Sequence, residues 1–416
     1  MRSFGLFALL VAVSFVSLGC PKPTGTVSPP ISGARTDYNR PLPPGELGLR
    51  KITDPRDIPD FTRACANLVL LRQTVANSLD YMAKPSSQKF FPYGKDVTHA
   101  QATASLKAFA ALLDAGLTPE QLNAQIREKF DVYISVGCDN RGTVLFTGYY
   151  TPIFNASAAK TDKFKYPIYK QPGDLVKNPD GTIRGRLNPA DGSITPYPNR
   201  REIEITKMLA GSELYWLSDP FEVFIAHVQG SARLRLTDGR MVTVGYTANS
   251  GHDYHSVGME LVKEGKISRE KLSLRTLIDY FKAHPDEVNE YTWRNPRFVF
   301  FAETGDGPRG SLNEPVTQLR TIATDKSIFP RAAVTFLSTN LPRRIGGDIQ
   351  ILPYSGFALD QDSGGAIRAP GRCDLYLGVG DEAVELAGRI QEEGKLYYLF
   401  LKPASAATPG LQPAAK

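Results

Sequence analysis

Ala358-Leu359-Asp360-Gln361-Asp362-Ser363-Gly364-Gly365-Ala366-Ile367-Arg368, followed by Gly371-Arg372-Cys373-Asp374-Leu375-Tyr376-Leu377-Gly378-Val379-Gly380, is the densest chemical cluster in the chain. Two aspartates precede a Gly-Gly turn, and Asp374 starts a strand-like run twelve residues after Asp362. A carboxyl beside Leu375 and Tyr376 is in a setting that moves an acid towards a proton donor's working range. Neighbouring glycines let a ligand approach the backbone closely. Taken alone, the cluster has a plainer reading, because Asp beside Gly usually caps a tight turn.

Around this cluster, residues 318 to 402 read as strand-rich, with one helix about Glu382 to Glu393 and a closing strand Leu396 to Leu401. Upstream, a helical pair (Ser268 to Ala283, Pro285 to Tyr291) precedes a strand Phe298 to Phe301. Residues 155 to 215 are crowded with turn formers such as Pro172-Gly173, Asp191-Gly192 and Pro198-Asn199. Short β-prone pieces follow at Phe221 to Gln229, Arg233 to Leu236 and Met241 to Tyr246, which suggests an all-β unit with long loops. The N-terminal part is helical instead. Phe61, Leu68, Leu71, Val75, Leu79 and Met82 keep helical spacing over Ile58 to Lys84, and a second helix runs from Thr98 to Leu113. Thr118-Pro119-Glu120-Gln121 is a capping box opening a third. Strands are expected at Asp131 to Val136 and Thr143 to Tyr150.

The composition bounds the function. With 416 residues, 42% hydrophobic and 22% charged, the chain is not disordered throughout and has room for two or three domains. A mean hydropathy of −0.24 and a single long apolar run exclude a polytopic membrane protein. The net charge of +6 suits a polyanionic partner without calling for nucleic acid. The apolar run, Phe4 to Leu18, follows Met1-Arg2-Ser3 and ends at Gly19-Cys20, the layout of a secretory signal over residues 1 to 20. The lipoprotein reading makes Cys20 the acylated residue. Residues 21 to 50 then carry seven prolines and no periodicity, as an extended tether does. Residues 404 to 416 read as a flexible tail. Export makes Cys65, Cys138 and Cys373 candidates for pairing, and spacing leaves a Cys65–Cys138 bridge open.

No Walker loop, dinucleotide fingerprint, GxSxG elbow or HExxH occurs, and His252-x-x-His255 lacks a third ligand. The chemistry therefore falls to carboxylates and hydroxyls. Phe146-Thr147-Gly148-Tyr149-Tyr150-Thr151-Pro152 and Val228-Gln229-Gly230-Ser231 set Tyr, Gln, Thr and Ser beside glycine. Such groups suit sugars, which offer hydroxyls at the edge and an apolar face.

These two motifs, Asn295-Pro296-Arg297-Phe298-Val299-Phe300-Phe301 and the aspartate cluster resemble the membrane-bound lytic murein transglycosylase A family, in the same order, over roughly residues 55 to 403. The C-terminal part is similar to a 3D domain, named for three aspartates, which fall here on Asp325, Asp362 and Asp374. The resemblance implies a mainly β fold with α segments. A double-psi β-barrel would be built from residues 51 to 150 and 303 to 403, with a second β-barrel inserted at 151 to 302 and a glycan groove between them. It implies cleavage of the MurNAc–GlcNAc bond of peptidoglycan with formation of a 1,6-anhydro ring, without cofactor or metal. Asp374 would be the acid, Asp362 its close neighbour and Asp325 a support; Thr147, Tyr149, Tyr150, Gln229, Gly230 and Ser231 are the expected sugar contacts. A non-catalytic peptidoglycan-binding lipoprotein and a hydrolytic glycosidase are the alternatives. The implied partners are glycan strands and, through a lipid anchor, the periplasmic face of the outer membrane. A tethered monomer is expected, with membership of a cell-wall synthesis complex left open. Two departures stand out: Arg368-Ala369-Pro370 replaces the usual Lys-Gly, and Asp360 is an additional acid that, like Asp362, could charge-couple to Asp374.

Overall fold

A computed structural model describes residues 36 to 403, apart from 180 and 306. Cys20, the signal region, residues 21 to 35 of the Pro-rich stretch and the tail from 404 therefore lie outside the described residues. Twelve strands build two barrels. In chain order they begin with β1 (Val144–Thr151), β2 (Ile153–Ser157), β3 (Tyr166–Tyr169), β4 (Glu213–Leu217), β5 (Ser231–Leu236) and β6 (Met241–Asn249). They continue with β7 (Val299–Thr304), β8 (Thr321–Ala323), β9 (Val334–Ile345), β10 (Asp348–Asp362), β11 (Arg372–Val379) and β12 (Gln391–Leu401).

The first barrel runs β12-β9-β10-β8-β11-β1 and closes where β1 pairs again with β12. Two of its pairings are parallel, β8 with β10 and β1 with β11, as the two crossed halves of a double-psi barrel require. Its longest pairing is the β9–β10 hairpin, in register from Val334 opposite Leu359 to Ile345 opposite Asp348. Gly346 takes φ +63 in the two-residue turn, a conformation that glycine adopts without strain. Val144, Phe146 and Tyr150 of β1 and Cys373, Leu375 and Leu377 of β11 point into the barrel core. The alternate residues Thr147, Tyr149, Arg372, Asp374 and Tyr376 are thereby left to the other face.

Helices Leu71–Ala83, His99–Asp114 and Pro119–Lys129 cover this barrel. Phe61, Phe109, Phe336 and Phe357 interlock beneath them, with Phe61 and Phe336 edge to face at 4.8 Å. Truncating one such buried phenylalanine typically costs about 3–5 kcal/mol. Polar ties add to the packing. Gln361 Nε2 donates to the Thr74 carbonyl and Ser78 Oγ, and the Arg320 guanidinium donates to the carbonyls of Asn67, Val69 and Phe357. The helical reading over Ile58 to Lys84 is corrected to two helices, Thr62–Cys65 and Leu71–Ala83, because Leu70 takes φ +63 between them.

The second barrel runs β7-β6-β5-β2-β4-β3 and closes through a bridge between Lys170 and Phe301. β1 of the first barrel passes straight into β2 of the second through Pro152, so the two share one strand junction. The turn-rich stretch adds a small sheet of Leu175–Lys177, Ile183–Leu187 and Ile194–Thr195. Phe221 to Gln229, read as β-prone, is instead the helix Pro220–Gln229. Asp219 caps it by accepting from the Phe221 N–H at 2.7 Å, Pro220 presets its first turn, and Gly230 ends it at φ +73. Near the C-terminus the helix is Asp381–Ala387, shorter than expected, and β12 already starts at Gln391.

The ordered body reaches further towards the N-terminus than the tether reading allowed. Leu49–Lys51 pairs with Tyr133, Ile134 and Ser135 of the strand Phe130–Ser135. Tyr38 Oη donates to Glu393 at 2.6 Å, and Arg40 donates to Asn140 at 2.9 Å. Among the described residues no helix is long and apolar enough to cross a membrane. Cys65, Cys138 and Cys373 are all buried, free thiols, which answers the pairing question left open above.

Candidate active site

The register brings the acids together. Asp362 on β10 lies opposite Ala323 on β8, Ala323 opposite Asp374 on β11, and Asp374 opposite Thr147 on β1. Residues up to 227 positions apart in sequence thus form one row around the barrel, beside the junction with the second barrel.

Asp374 is 18% exposed, so it is neither sealed in the core nor standing in bulk water. Its Oδ1 accepts a hydrogen bond from Thr147 Oγ1 and faces the Arg372 guanidinium at 3.6 Å. Arg372 also donates to Thr147 Oγ1 at 3.3 Å. Oδ2 has no donor among the described residues. Asp362 Oδ1 accepts from the backbone N–H groups of Ser311 at 2.7 Å and Ser363 at 2.8 Å. Burial of that carboxylate still dominates and raises its pKa above the ordinary value, the backbone donors opposing.

Tyr149 packs against Tyr376 with ring centroids 5.1 Å apart. Its hydroxyl is buried beside the Asp362 carboxyl, and burial together with the Asp362 charge raises its pKa. Tyr376 Oη bonds Thr151 Oγ1 at 2.9 Å, and Thr151 Oγ1 bonds Ser231 Oγ at 3.1 Å. Ser231 is therefore a pin between the barrels.

A cavity of about 240 Å³ opens alongside, lined by Thr147, Gly148, Tyr150, Gln229, Gly388 and Gln391 among others. Asp374 meets it through Thr147. Helix Asp381–Ala387 crosses over Gly148 so closely that a Cβ there would lie 2.8 Å from Ala387 Cα, which explains the glycine. Gln229 Oε1 accepts from the Tyr150 N–H at 3.2 Å, while the Tyr150 ring is turned into the barrel core. Gly230 serves as the helix cap already described.

The structure separates the remaining acids from this group. Asp325 Oδ1 accepts from the N–H and hydroxyl of Ser327, and Oδ2 from the Ala369 N–H at 3.0 Å. It borders a different cavity, with Arg368 and residues 41 to 47, and shapes the loop between β10 and β11 rather than touching Asp374. Asp360 is wholly buried and paired with Lys326, with Tyr398 and Thr324 hydroxyls each donating at 2.7 Å. It cannot be the charged neighbour of Asp374 that its sequence position suggested. His252 is used in packing, its Nε2 within 2.8 Å of the Tyr197 carbonyl.

Sequence reading missed Arg372, Arg233 and the role of Arg297. Arg372 and Arg233 each carry a buried, unpaired Nε. Arg297 lies against Gly365, where a Cβ would sit 3.3 Å from its Nε. The fully buried Arg200 fixes it there by donating to the carbonyls of Asn295 and Arg297. The alternation of strand β11 held the only signal for Arg372, two residues before Asp374 and on the same face.

Comparison with known proteins agrees with this architecture. Residues 145–302 match the MltA specific insert domain, and residues 320–400 match the 3D domain. Membrane-bound lytic murein transglycosylase A of Escherichia coli K12 is 30% identical over 283 residues, 66% of this chain and 70% of that protein. The Vibrio cholerae protein of the same name is 29% identical over 67% of this chain and 72% of its own length. A membrane-bound lytic murein transglycosylase structure from Agrobacterium tumefaciens superposes with a TM-score of 0.71 at 28% identity, covering 85% of this chain and 98% of that one. E. coli MltA with bound chitohexaose gives 0.62 at 25% identity, covering 89% and 98%. With both matched domains and the full barrel pair in place, the chain belongs to the membrane-bound lytic murein transglycosylase A family.

Proposed function

We propose that this protein is a peptidoglycan lytic transglycosylase that cuts the β-1,4 bond between MurNAc and GlcNAc with Asp374 as its single acid and base. The observation that carries the reading is Asp374 itself, partly shielded at the barrel junction with Oδ1 held by Thr147. A hydrogen bond accepted at Oδ1 leaves the proton of the acid form to Oδ2, the oxygen open to substrate. Asp374 donates that proton to the glycosidic oxygen as the bond breaks. The resulting carboxylate takes the proton of the MurNAc 6-hydroxyl, whose oxygen closes the anhydro ring. Because the nucleophile belongs to the sugar, attack is intramolecular and needs no second carboxylate and no activated water.

Asp362 fits a supporting part. Its carboxyl is fixed by the Ser311 and Ser363 N–H groups beside Tyr149, while Asp374 is the acid that cycles its proton. Thr147 and Gln229 line the space where the sugars lie, and Tyr149 shares the Thr147 face of β1 behind it. A fold relative solved with chitohexaose supports glycan strands as the ligand. The Leu18-Gly19-Cys20 sequence supports acylation at Cys20 and tethering to the inner leaflet of the outer membrane.

Asp374→Asn tests the assignment. The variant should melt like the parent while release of 1,6-anhydro muropeptides from sacculi falls by at least about 10³-fold. Mass spectrometry reads the product directly, since a hydrolysed end is heavier by one water. Retained anhydro product removes Asp374 as the acid, and reducing MurNAc ends from the parent protein would make it a hydrolase.

A further inference from the structure

Arg372 is bound on two sides. Its Nη2 faces Asp374 Oδ1 at 3.6 Å and donates to Thr147 Oγ1 at 3.3 Å, while Nη1 donates to Asn39 Oδ1 at 3.4 Å. Asn39 lies in the second half of the Pro-rich stretch, and that part of it is fixed to the barrel. Tyr38 Oη and Arg40 are bonded to Glu393 and Asn140, and the Tyr38 carbonyl lies so near Gly371 that a Cβ there would meet it at 2.6 Å. Residues 38 to 40 therefore run over the loop just before Asp374. The guanidinium is mostly buried, 16% exposed, and a planar fork is the group that spans two partners at fixed spacing.

We propose that Arg372 is the positioning residue of the catalytic acid, braced from behind by Asn39 so that the end of the tether segment holds Asp374 and Thr147 in working geometry. The inference rests on Asp374 being the acid. The mechanism is steric and electrostatic together. The fork fixes Oδ1 and the Thr147 hydroxyl, leaving Oδ2 aimed at substrate. Its charge also favours the carboxylate that must form after proton donation. Tyr149 on β1 is the other titratable group interacting with Asp374, and it has Asp362 of β10 and Tyr376 of β11 beside it. Arg372 is the cation that reaches Asp374, at 3.6 Å.

The test uses the full chain on soluble peptidoglycan strands, with anhydro product measured against substrate concentration and pH. Arg372→Met should lower kcat by about 10- to 100-fold with KM within about twofold, because orientation rather than binding is lost. A cation beside a carboxyl favours its charged form, so its removal should move the basic limb of the kcat profile upward. Arg372→Lys should restore the limb but only part of the rate, since an ammonium cannot span both partners. Asn39→Ala should lower kcat by about 2- to 5-fold with the limb unmoved, the charge being intact. A parent-like kcat and profile in Arg372→Met overturns the proposal, as does a rise in KM alone. If Arg372→Met does not fold, parent-like kcat in both Arg372→Lys and Asn39→Ala overturns it. Asp374→Asn run in parallel separates the two ideas: activity there sinks the acid assignment itself, whereas an inactive Asp374→Asn beside a parent-like Arg372→Met sinks only the positioning role.

Discussion

At the scale of single residues, Asp362 links the site to stability. Its carboxyl is half-buried, and that burial raises its pKa in the folded protein above that in the unfolded chain. The folded state then holds the proton more tightly. The associated stability is fully present below the unfolded pKa, about 3.9, and is lost as pH rises through the raised value. Asp362→Asn removes this slope, since its amide oxygen still accepts from Ser311 and Ser363. The variant should therefore melt higher than the parent at pH 8, with the gap closing towards pH 4. Parallel melting curves across that range would mean the burial cost is relieved some other way. Activity should fall in the same variant, separating what the residue does for folding from what it does for catalysis.

At the scale of elements, Gly230 shows what a helix end contributes to the site. At φ +73 it closes Pro220–Gln229, its N–H bonded to the Ala226 carbonyl at 2.9 Å, and its own carbonyl accepts from the Tyr246 N–H at 2.8 Å. A Cβ would find its nearest neighbour at 3.9 Å, so Gly230→Ala meets backbone strain but no clash. The expected loss is about 1–2 kcal/mol, read as a lower urea midpoint with an unchanged slope. A loss beyond about 3 kcal/mol would point to a broken β5–β6 start instead. The signals for this helix, Asp219-Pro220 before it and Gly230 after it, were local and readable; the apolar, β-branched interior Val223-Phe224-Ile225 outweighed them in a strand reading. The capping box at Thr118 and the strands around Asp131 and Thr143 were legible because their patterns are also local. What local pattern could not reveal is the fate of Asp360 and Asp362. Two apart on one strand, they should share a face. The register of β10 against β8 shifts between Ile322 and Ala323, so Asp360 turns to Lys326 while Asp362 turns to the site. A bulge depends on a partner strand about forty residues away and leaves no mark in the motif itself. The Asn39–Arg372 contact, across 333 positions, was hidden for the same reason, and a Pro-rich composition disguised its first partner.

Across the whole molecule, the same buried Asp360 argues for a barrel held shut by charge as well as by apolar packing. Lys326 and Asp360 are 5% and 0% exposed, and the pair joins the segment after β8 to β10, while Tyr398 ties in β12. Two ions taken out of water gain little over an apolar pair of the same size, but removing one alone strands the other in a low-dielectric interior. Lys326→Met should therefore cost about 3–5 kcal/mol, a large part of a typical total stability of about 5–15 kcal/mol. Lys326→Met combined with Asp360→Leu should recover much of that loss. Strict additivity of the two single losses in urea unfolding would show that the ions act independently, contrary to the geometry. The consequence reaches the active site through the barrel wall. Asp360 precedes Asp362 by two residues on β10, so a barrel loosened at the pair also loosens the row Asp362–Ala323–Asp374–Thr147. The double variant, stable but without the ionic tie, should therefore lose catalytic rate more than stability. Parent-like kcat in the double variant would instead confine the ion pair to folding.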